Sequence, residues 1–211
     1  MLVRGIGETL YMTLFSTGMA YLLGLPLGVL LVVTGGDGIH PIPWLHRGLG
    51  ALINLLRSVP FLILLIAVIP FTRLVVGTTI GATATVVPLV ISAAPFIARL
   101  VESSLREVDK GIVEAAWAMG ASPMRIILRV LLPEARPSLL MGAAIAVATI
   151  LGYSAMAGVV AGGGLGDIAI RYGYHRYQQD IMFVTVILLV VIVQILQVAG
   201  ARLARIYDKR I

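Results

Sequence analysis

The sequence predicts an all-α integral membrane protein, and three observations support this fold class. Hydrophobic residues make up 59% of the 211 residues, and charged residues only 12%, whereas a soluble domain usually carries about a quarter charged residues. The mean hydropathy is +1.02. The apolar residues form continuous runs rather than an alternating pattern, which favours membrane-spanning helices over barrel strands.

Apolar runs long enough to cross the ~30 Å hydrocarbon core of a bilayer, which takes about 20 helical residues, occur five times. They lie at about residues 10–33, 49–71, 80–100, 139–160 and 181–203. We therefore expect five transmembrane helices in a single domain covering residues 1–211. The first run is too long for the apolar core of a signal peptide, so we expect it to be retained.

The second run is the least regular of the five because Asn54 and Arg57 lie inside it. Arg57 has two interpretations. It either anchors the helix at the membrane interface or forms an ionic latch with a carboxylate on a neighbouring helix. Both interpretations place Arg57 near one end of the span.

Small residues recur at four-residue spacing, which places small surfaces on one helix face and lets two backbones approach closely. The pairs are Gly24 with Gly28, Gly77 with Gly81, and Gly142 with Ala146. We expect these pairs to pack helices within one subunit, and a seam between two copies is the alternative.

The basic residues predict the orientation of the chain, because the cytoplasmic side of a membrane protein carries the excess of Lys and Arg. One predicted side holds Arg4, Arg73, Arg171 and Arg176. The other side holds Arg47, Arg57, Arg99, Arg106, Lys110, Arg125, Arg129, Arg136, Arg202, Arg205, Lys209 and Arg210. We therefore expect the N-terminus outside and the C-terminus in the cytoplasm.

A glycine-rich segment lies between the fourth and fifth runs, at residues 152–177. Its glycines resemble a phosphate-binding loop only superficially, because Asp167 occupies the last glycine position of the dinucleotide pattern and no strand precedes it. Close backbone packing or a flexible external turn explains the glycines better.

No enzyme site can be assembled from the sequence. Cysteine is absent, and the histidines His40, His46 and His175 lack the spacing of metal ligands. The lysines Lys110 and Lys209 do not lie in a nucleotide-binding motif, so the chain cannot hydrolyse ATP by that route. The net charge of +6 is scattered along loops, which gives no support to nucleic-acid binding.

The long polar interruption of the chain lies at residues 114–137, and we call it the elbow. Helix-forming residues precede Gly120, which can supply the left-handed residue that ends a helix. Ser122 and Pro123 then form a start signal, with Ser122 as N-cap. The elbow therefore predicts a short helix, a sharp turn, and a second helix that ends at Leu132 because Pro133 follows.

The elbow resembles the EAA loop of permease subunits from bacterial ATP-binding-cassette (ABC) importers, with Glu114, Ala115 and Ala116 followed by Gly120 and later by Leu132 and Pro133. The resemblance implies a cytoplasmic coupling loop at about residues 102–136 whose first helix docks on a separate ATPase subunit. The residues that it assigns to this contact are Glu114, Ala115, Ala116, Trp117, Met119, Gly120, Ala121, Ser122 and Pro123.

Four longer segments, at residues 57–73, 87–102, 114–126 and 152–167, resemble methionine-uptake permeases within that group. The resemblance implies a bacterial inner-membrane homodimer that works with two ATPase subunits and an extracytoplasmic methionine-binding protein. It also implies that ATP and Mg²⁺ bind to the ATPase and that this chain binds no cofactor. Tyr153, Ser154 and Met156 would line the pathway, with Met156 at its narrowing.

The chain departs from that family at Ala161, a position where glycine is more common in relatives. Two alternative functions remain at the level of sequence. One is an ABC importer permease for another amino acid, and the other is a gradient-driven carrier or channel without an ATPase.

Overall fold

The computed structural model describes residues 1–207, and within that range the secondary structure is helical without strands. Lys209 and Arg210, which the orientation argument counts, lie outside the described residues. The α-helices are α1 (Leu2–Thr34), α2 (Pro43–Ser58), α3 (Phe61–Ala67), α4 (Ile69–Val76), α5 (Ala82–Arg106), α6 (Lys110–Ala118), α7 (Pro123–Ile126), α8 (Leu132–Glu134), α9 (Arg136–Met156), α10 (Gly164–Ile168) and α11 (Gln179–Tyr207).

Four helical stretches in residues 1–207 are each long and apolar enough to span a membrane, and a bent pair raises the number to five. Three of them, α1, α5 and α11, match the first, third and fifth predicted runs. The fourth extends from Arg136 to Tyr174, and therefore includes most of the glycine-rich segment. This segment contains a 3-10 helix, Ala157–Val160, and a π-helix, Ala169–Tyr174.

The second predicted run does not form one straight helix. Helices α2 and α3 meet at an angle of 97°, and the break lies at Val59 and Pro60, both of which have extended ψ values. Proline at this position explains the break, because it lacks an N–H donor and disfavours helical backbone in the residue before it.

Helix α1 packs closely along α5, and glycines on α1 make this possible. A Cβ atom added to Gly24 would lie 2.7 Å from the carbonyl oxygen of Ala94, and one added to Gly28 would lie 2.6 Å from that of Ala98. The prediction of packing within one subunit is therefore confirmed for this pair. It is wrong for Gly77 and Gly81, which have positive φ angles of 79° and 92° and lie at the turn between α4 and α5.

The two ends of the bundle are built from different loops. At one end, the N–H of Gly81 donates to the carbonyl of Ala161 at 3.0 Å. At the other, which we call the elbow end, Lys110 of α6 contacts Asp37 in the loop between α1 and α2. The assignment of these ends to the two sides of a membrane stays a prediction from the distribution of basic residues.

Candidate functional site

Helix α6 is the short first helix of the elbow, and side-chain and backbone contacts fix both of its ends. The Asp109 carboxylate caps its start by accepting from the Gly111 N–H at 2.7 Å. At its end Gly120 has a φ of 76°. The Ala121 N–H donates to the Ala116 carbonyl at 3.1 Å, and the Gly120 N–H to that of Trp117 at 2.9 Å.

These two bonds form a Schellman motif, in which a left-handed glycine closes the helix and satisfies carbonyls that would otherwise lack donors. The sharp turn predicted at Gly120 is therefore present. Ser122 and Pro123 begin the next helix as predicted, although the Ser122 side chain makes no capping hydrogen bond.

The second helix of the elbow is longer and less regular than predicted. After α7 the chain forms a π-helix, Ile127–Leu131, and α8 carries it through Pro133 to Glu134. The predicted end at Leu132 is therefore wrong. A proline is tolerated in the first turn of a helix because its missing N–H has no obligatory partner there, and the wider π turn precedes it.

The faces of α6 differ in exposure. Ala116 is 5% exposed and packs inside the chain, in the same cluster as Ile126 and Leu131. Ala115 and Glu114 are exposed. The small size of Ala116 is therefore explained by packing within this chain, whereas that of Ala115 is not.

Large apolar side chains lie exposed along α6, in the turn that follows it and at the start of α7. Ile112 is 44% exposed, Trp117 46%, Met119 81% and Met124 63%. We call these four residues together with Ala115 the apolar elbow surface. An exposed apolar surface beside polar residues is typical of a protein–protein contact.

A cavity of about 630 Å³ separates α6 from the loop between α1 and α2. Asp37 and Lys110 close part of its rim with an ion pair of 3.0 Å. The hydrogen bond and charge of Lys110 lower the pKa of the exposed Asp37 carboxyl. The loop is thus connected to the start of α6. Sequence analysis could not predict this contact because Asp37 and Lys110 are far apart in the chain.

Arg99, rather than Arg57, makes the polar contact between α2 and α5. Its guanidinium donates to Glu102 at 2.6 Å, to the Asn54 side chain at 2.8 Å and to the Gly50 carbonyl at 3.1 Å. Arg57 is exposed, and within residues 1–207 no ion pair is formed by it. The ionic latch predicted for Arg57 is therefore not made inside this chain.

The three predicted pathway residues have different environments at the end of α9. Met156 is 49% exposed, and Tyr153 stacks on Phe61 with ring centroids 4.6 Å apart. Ser154 is only 1% exposed, and its hydroxyl donates to the Leu151 carbonyl at 2.8 Å. Ser154 is therefore buried within this chain with its hydroxyl bonded inside the helix, and its role in the pathway stays a prediction.

In the part of the chain that the structure describes, no group of three or more His, Asp or Glu side chains could hold a metal ion. The conspicuous polar features are instead the ion pairs at the elbow end and the hydrogen bonds around residues 161–165. Sequence reasoning missed Asp37, Phe61 and Glu102. Only Glu102 carried a signal, because it lies between Arg99 and Arg106 at helical spacing.

Comparisons with known proteins agree on one group. Residues 14–211 match a family model described as the binding-protein-dependent transport system inner membrane component. A probable D-methionine transport system permease protein MetI from Vibrio cholerae is 53% identical over 210 residues, which is 100% of this chain and 93% of the relative. The D-methionine transport system permease protein MetI of Escherichia coli K12 is 52% identical over 158 residues, covering 75% of this chain and 73% of the relative.

This chain is also similar to a solved structure, both in fold and in sequence. A chain from inward-facing conformations of the MetNI methionine ABC transporter superposes with a TM-score of 0.97 at 50% sequence identity. The match covers 99% of this chain and 96% of that chain. The similarity therefore extends over nearly the whole fold, including the elbow.

Proposed function

Because the chain belongs to the family of inner membrane components of binding-protein-dependent transport systems, we propose that it is the permease subunit of a bacterial ABC importer for methionine. Its similarity to a chain of the MetNI methionine ABC transporter supports this cargo. The chain is a transport component rather than an enzyme, and a separate subunit supplies the ATPase activity.

The observation that best supports the coupling role is the apolar elbow surface. It lies mainly on α6, a short helix that is capped at its start by Asp109 and closed at its end by the left-handed Gly120. Such a helix can move as a rigid body. A preserved helix can transmit a rigid-body movement from a partner to the bundle. We propose that Glu114, Ala115, Trp117 and Met119 contact the ATPase, and that Gly120, Ala121, Ser122 and Pro123 maintain the turn.

Ala116 takes a different role in this proposal, because it is buried within its own chain. Its methyl group holds α6 against the cluster that contains Ile126 and Leu131. The residue therefore connects the docking helix to the second helix of the elbow, and it does not itself contact the ATPase.

The translocation pathway passes Met156 between two copies of this chain. Met156 is half exposed at the end of α9, and a flexible thioether can repack when neighbouring helices move. Tyr153 holds its ring against Phe61 beside it.

The assembly contains two copies of this permease, two ATPase subunits that bind ATP and Mg²⁺, and an extracytoplasmic methionine-binding protein. The permease forms one transmembrane domain whose coupling loop at about residues 102–136 faces the cytoplasm, with the N-terminus outside. The excess of basic residues at the elbow end supports this orientation.

The test is uptake of labelled D- and L-methionine into vesicles that contain this chain, its ATPase and its binding protein. We expect uptake that requires ATP and is reduced by unlabelled methionine more than by leucine or glutamine. Uptake that persists without the ATPase subunit would indicate a gradient-driven carrier, and preferential competition by leucine or glutamine would contradict the proposed cargo.

A further inference from the structure

The backbone that follows Met156 is held by the first helix of the chain. The Glu8 carboxylate accepts from the Gly164 N–H at 2.8 Å, and the Thr9 hydroxyl oxygen accepts from the Leu165 N–H at 2.9 Å. Both contacts join residues separated by 156 positions. Thr9 is 1% exposed, so its bond is shielded from water.

Helix α5 holds the same segment from another side. The Thr85 hydroxyl donates to the Gly162 carbonyl at 3.0 Å, and the Gly81 N–H donates to the Ala161 carbonyl at 3.0 Å. We call residues 161–165 the anchored segment. Four of its backbone polar groups bond to α1, to α5 or to Gly81 at the start of α5, whereas a mobile surface turn would bind water instead.

The glycines of the anchored segment make these contacts possible. Gly164 has a φ of 74°, and a Cβ atom added to it would lie 2.7 Å from the Thr9 hydroxyl oxygen. A Cβ atom added to Gly162 would lie 2.8 Å from that of Thr85. A side chain at Gly164 or Gly162 would therefore crowd the hydroxyl group that bonds to the backbone of this segment.

A short rigid connection links the anchored segment to Met156. The 3-10 helix Ala157–Val160 begins directly after Met156, and the Gly162 N–H donates to the Ala157 carbonyl at 3.0 Å. Ala157 itself is fully buried. A displacement of the anchored segment is therefore passed to Met156 instead of being absorbed by a flexible linker.

From this geometry we infer that Glu8 and Thr9 are positioning residues for the gate at Met156. They fix the anchored segment against α1, and the 3-10 helix fixes Met156 relative to the anchored segment. Arg4 orients the Glu8 carboxylate through a contact of 2.8 Å. The inference rests on the proposed gate role of Met156, and it assigns to α1 a part in setting the gate.

The test compares Thr9→Val, which has nearly the same shape but no acceptor, with Thr9→Ser, which keeps the hydroxyl. Hydrogen–deuterium exchange is measured on the full complex with its ATPase subunits in lipid. In Thr9→Val we expect about fivefold faster exchange at the amides of residues 157–165, the factor expected for one lost hydrogen bond. Thr9→Ser should exchange like the unsubstituted chain.

Glu8→Ala and Glu8→Gln form a second, independent pair, because glutamine keeps an acceptor oxygen and alanine does not. If Thr9→Val fails to assemble, this pair still tests whether α1 positions the segment beside Met156. Faster exchange confined to Leu165, with residues 157–161 unchanged, would overturn the inference, since the anchored segment would then not control the region beside Met156.

A functional measurement separates positioning from a merely structural role. The ratio of ATP hydrolysed to methionine imported is determined per assembled complex. We expect this ratio to rise in Thr9→Val and Glu8→Ala but not in their conservative partners. A lower yield of complex with an unchanged ratio would overturn the positioning role. If the unsubstituted complex imports no methionine, the proposed cargo fails, and the exchange measurement still decides the anchoring.

Discussion

For single residues, backbone conformation shapes both the elbow and the region near the proposed gate at Met156. Gly120 takes a left-handed conformation with φ of 76°, and no atom lies within 4 Å of a Cβ added there. Ala161 takes a similar conformation with φ of 57° despite its side chain. Ala161, where the chain departs from the resembling family, thus lies at a left-handed position, a conformation that glycine adopts at lower cost than alanine.

Gly120→Ala tests the left-handed end of α6. We expect the free energy of unfolding to fall by about 1 kcal/mol, because a side chain disfavours this conformation even where space is available. Thermal unfolding of the purified protein measures the effect. Gly48→Ala is the control, since Gly48 lies inside α2 with open space around it, and alanine favours a helix interior. Equal melting temperatures for the two variants would contradict the prediction.

At the scale of elements, a few polar contacts connect helices that otherwise pack through apolar surfaces. Arg99 joins α5 to α2 at the Gly50 carbonyl and the Asn54 side chain. It also shares the Glu102 carboxylate, which is 9% exposed, with Arg106. A carboxylate this well buried needs its partners, because a buried charge without them is costly.

Arg99→Met tests this connection. We expect a loss of about 2 kcal/mol in unfolding free energy, since the variant removes one partner of a buried charge and the bonds to α2. The matched variant is Arg106→Met. Arg106 is 57% exposed, so its removal should cost about 0.5 kcal/mol. A larger loss for Arg106→Met than for Arg99→Met in thermal unfolding would refute this ranking.

The ion pair between Asp37 and Lys110 predicts how acid affects the start of α6. Lys110 lowers the pKa of Asp37 in the folded state, so the contact is complete above the ordinary value of 3.8 and is lost as the pH falls through the folded value. We expect Asp37→Asn to speed amide exchange in α6 at neutral pH. That difference should disappear in acid below the folded pKa, and a difference that persists there would show that the charge is not responsible.

Across the whole molecule, exposed apolar side chains occur in two places, on the membrane-spanning helix α11 and on the elbow. Helix α11 buries only Thr185, Ile192 and Ala204 inside the chain, so many of its apolar side chains face lipid or a second copy. The apolar elbow surface instead lies on α6, the turn after it and the start of α7, beside exposed polar residues such as Glu114. Its exposure is therefore best explained by a water-soluble partner.

Met119→Glu tests that explanation at the most exposed position of the apolar elbow surface. We expect weaker association with the ATPase and slower ATP-dependent uptake, because a carboxylate would be transferred from water into an apolar contact. The melting temperature of the permease alone should not change. His40→Glu, which adds the same charge at an exposed position in the loop between α1 and α2, is the control. Equal association with the ATPase for the two variants would place the docking surface elsewhere.

The helical membrane class, the approximate position of the apolar spans and the local shape of the start of the elbow could be predicted from the amino-acid sequence alone. These features depend on run length and on neighbouring residues, such as Gly120 followed by Ser122 and Pro123. They need no knowledge of distant contacts. For the same reason, the resemblance carried by the elbow could be recognised before the fold was known.

The contacts between side chains could be seen only in the three-dimensional structure. Arg99 rather than Arg57 makes the polar contact with α2, and the Ser154 hydroxyl bonds within its own helix. Helices α2 and α3 meet at a bend, and the Thr9 hydroxyl accepts from the Leu165 N–H.

In a soluble helix, the polar face reveals which side is outside. Spans that are apolar on nearly every face carry no such marking. Apart from small-residue pairs such as Gly24 and Gly28, the rotation of each helix and its contacts with other helices are therefore set by packing.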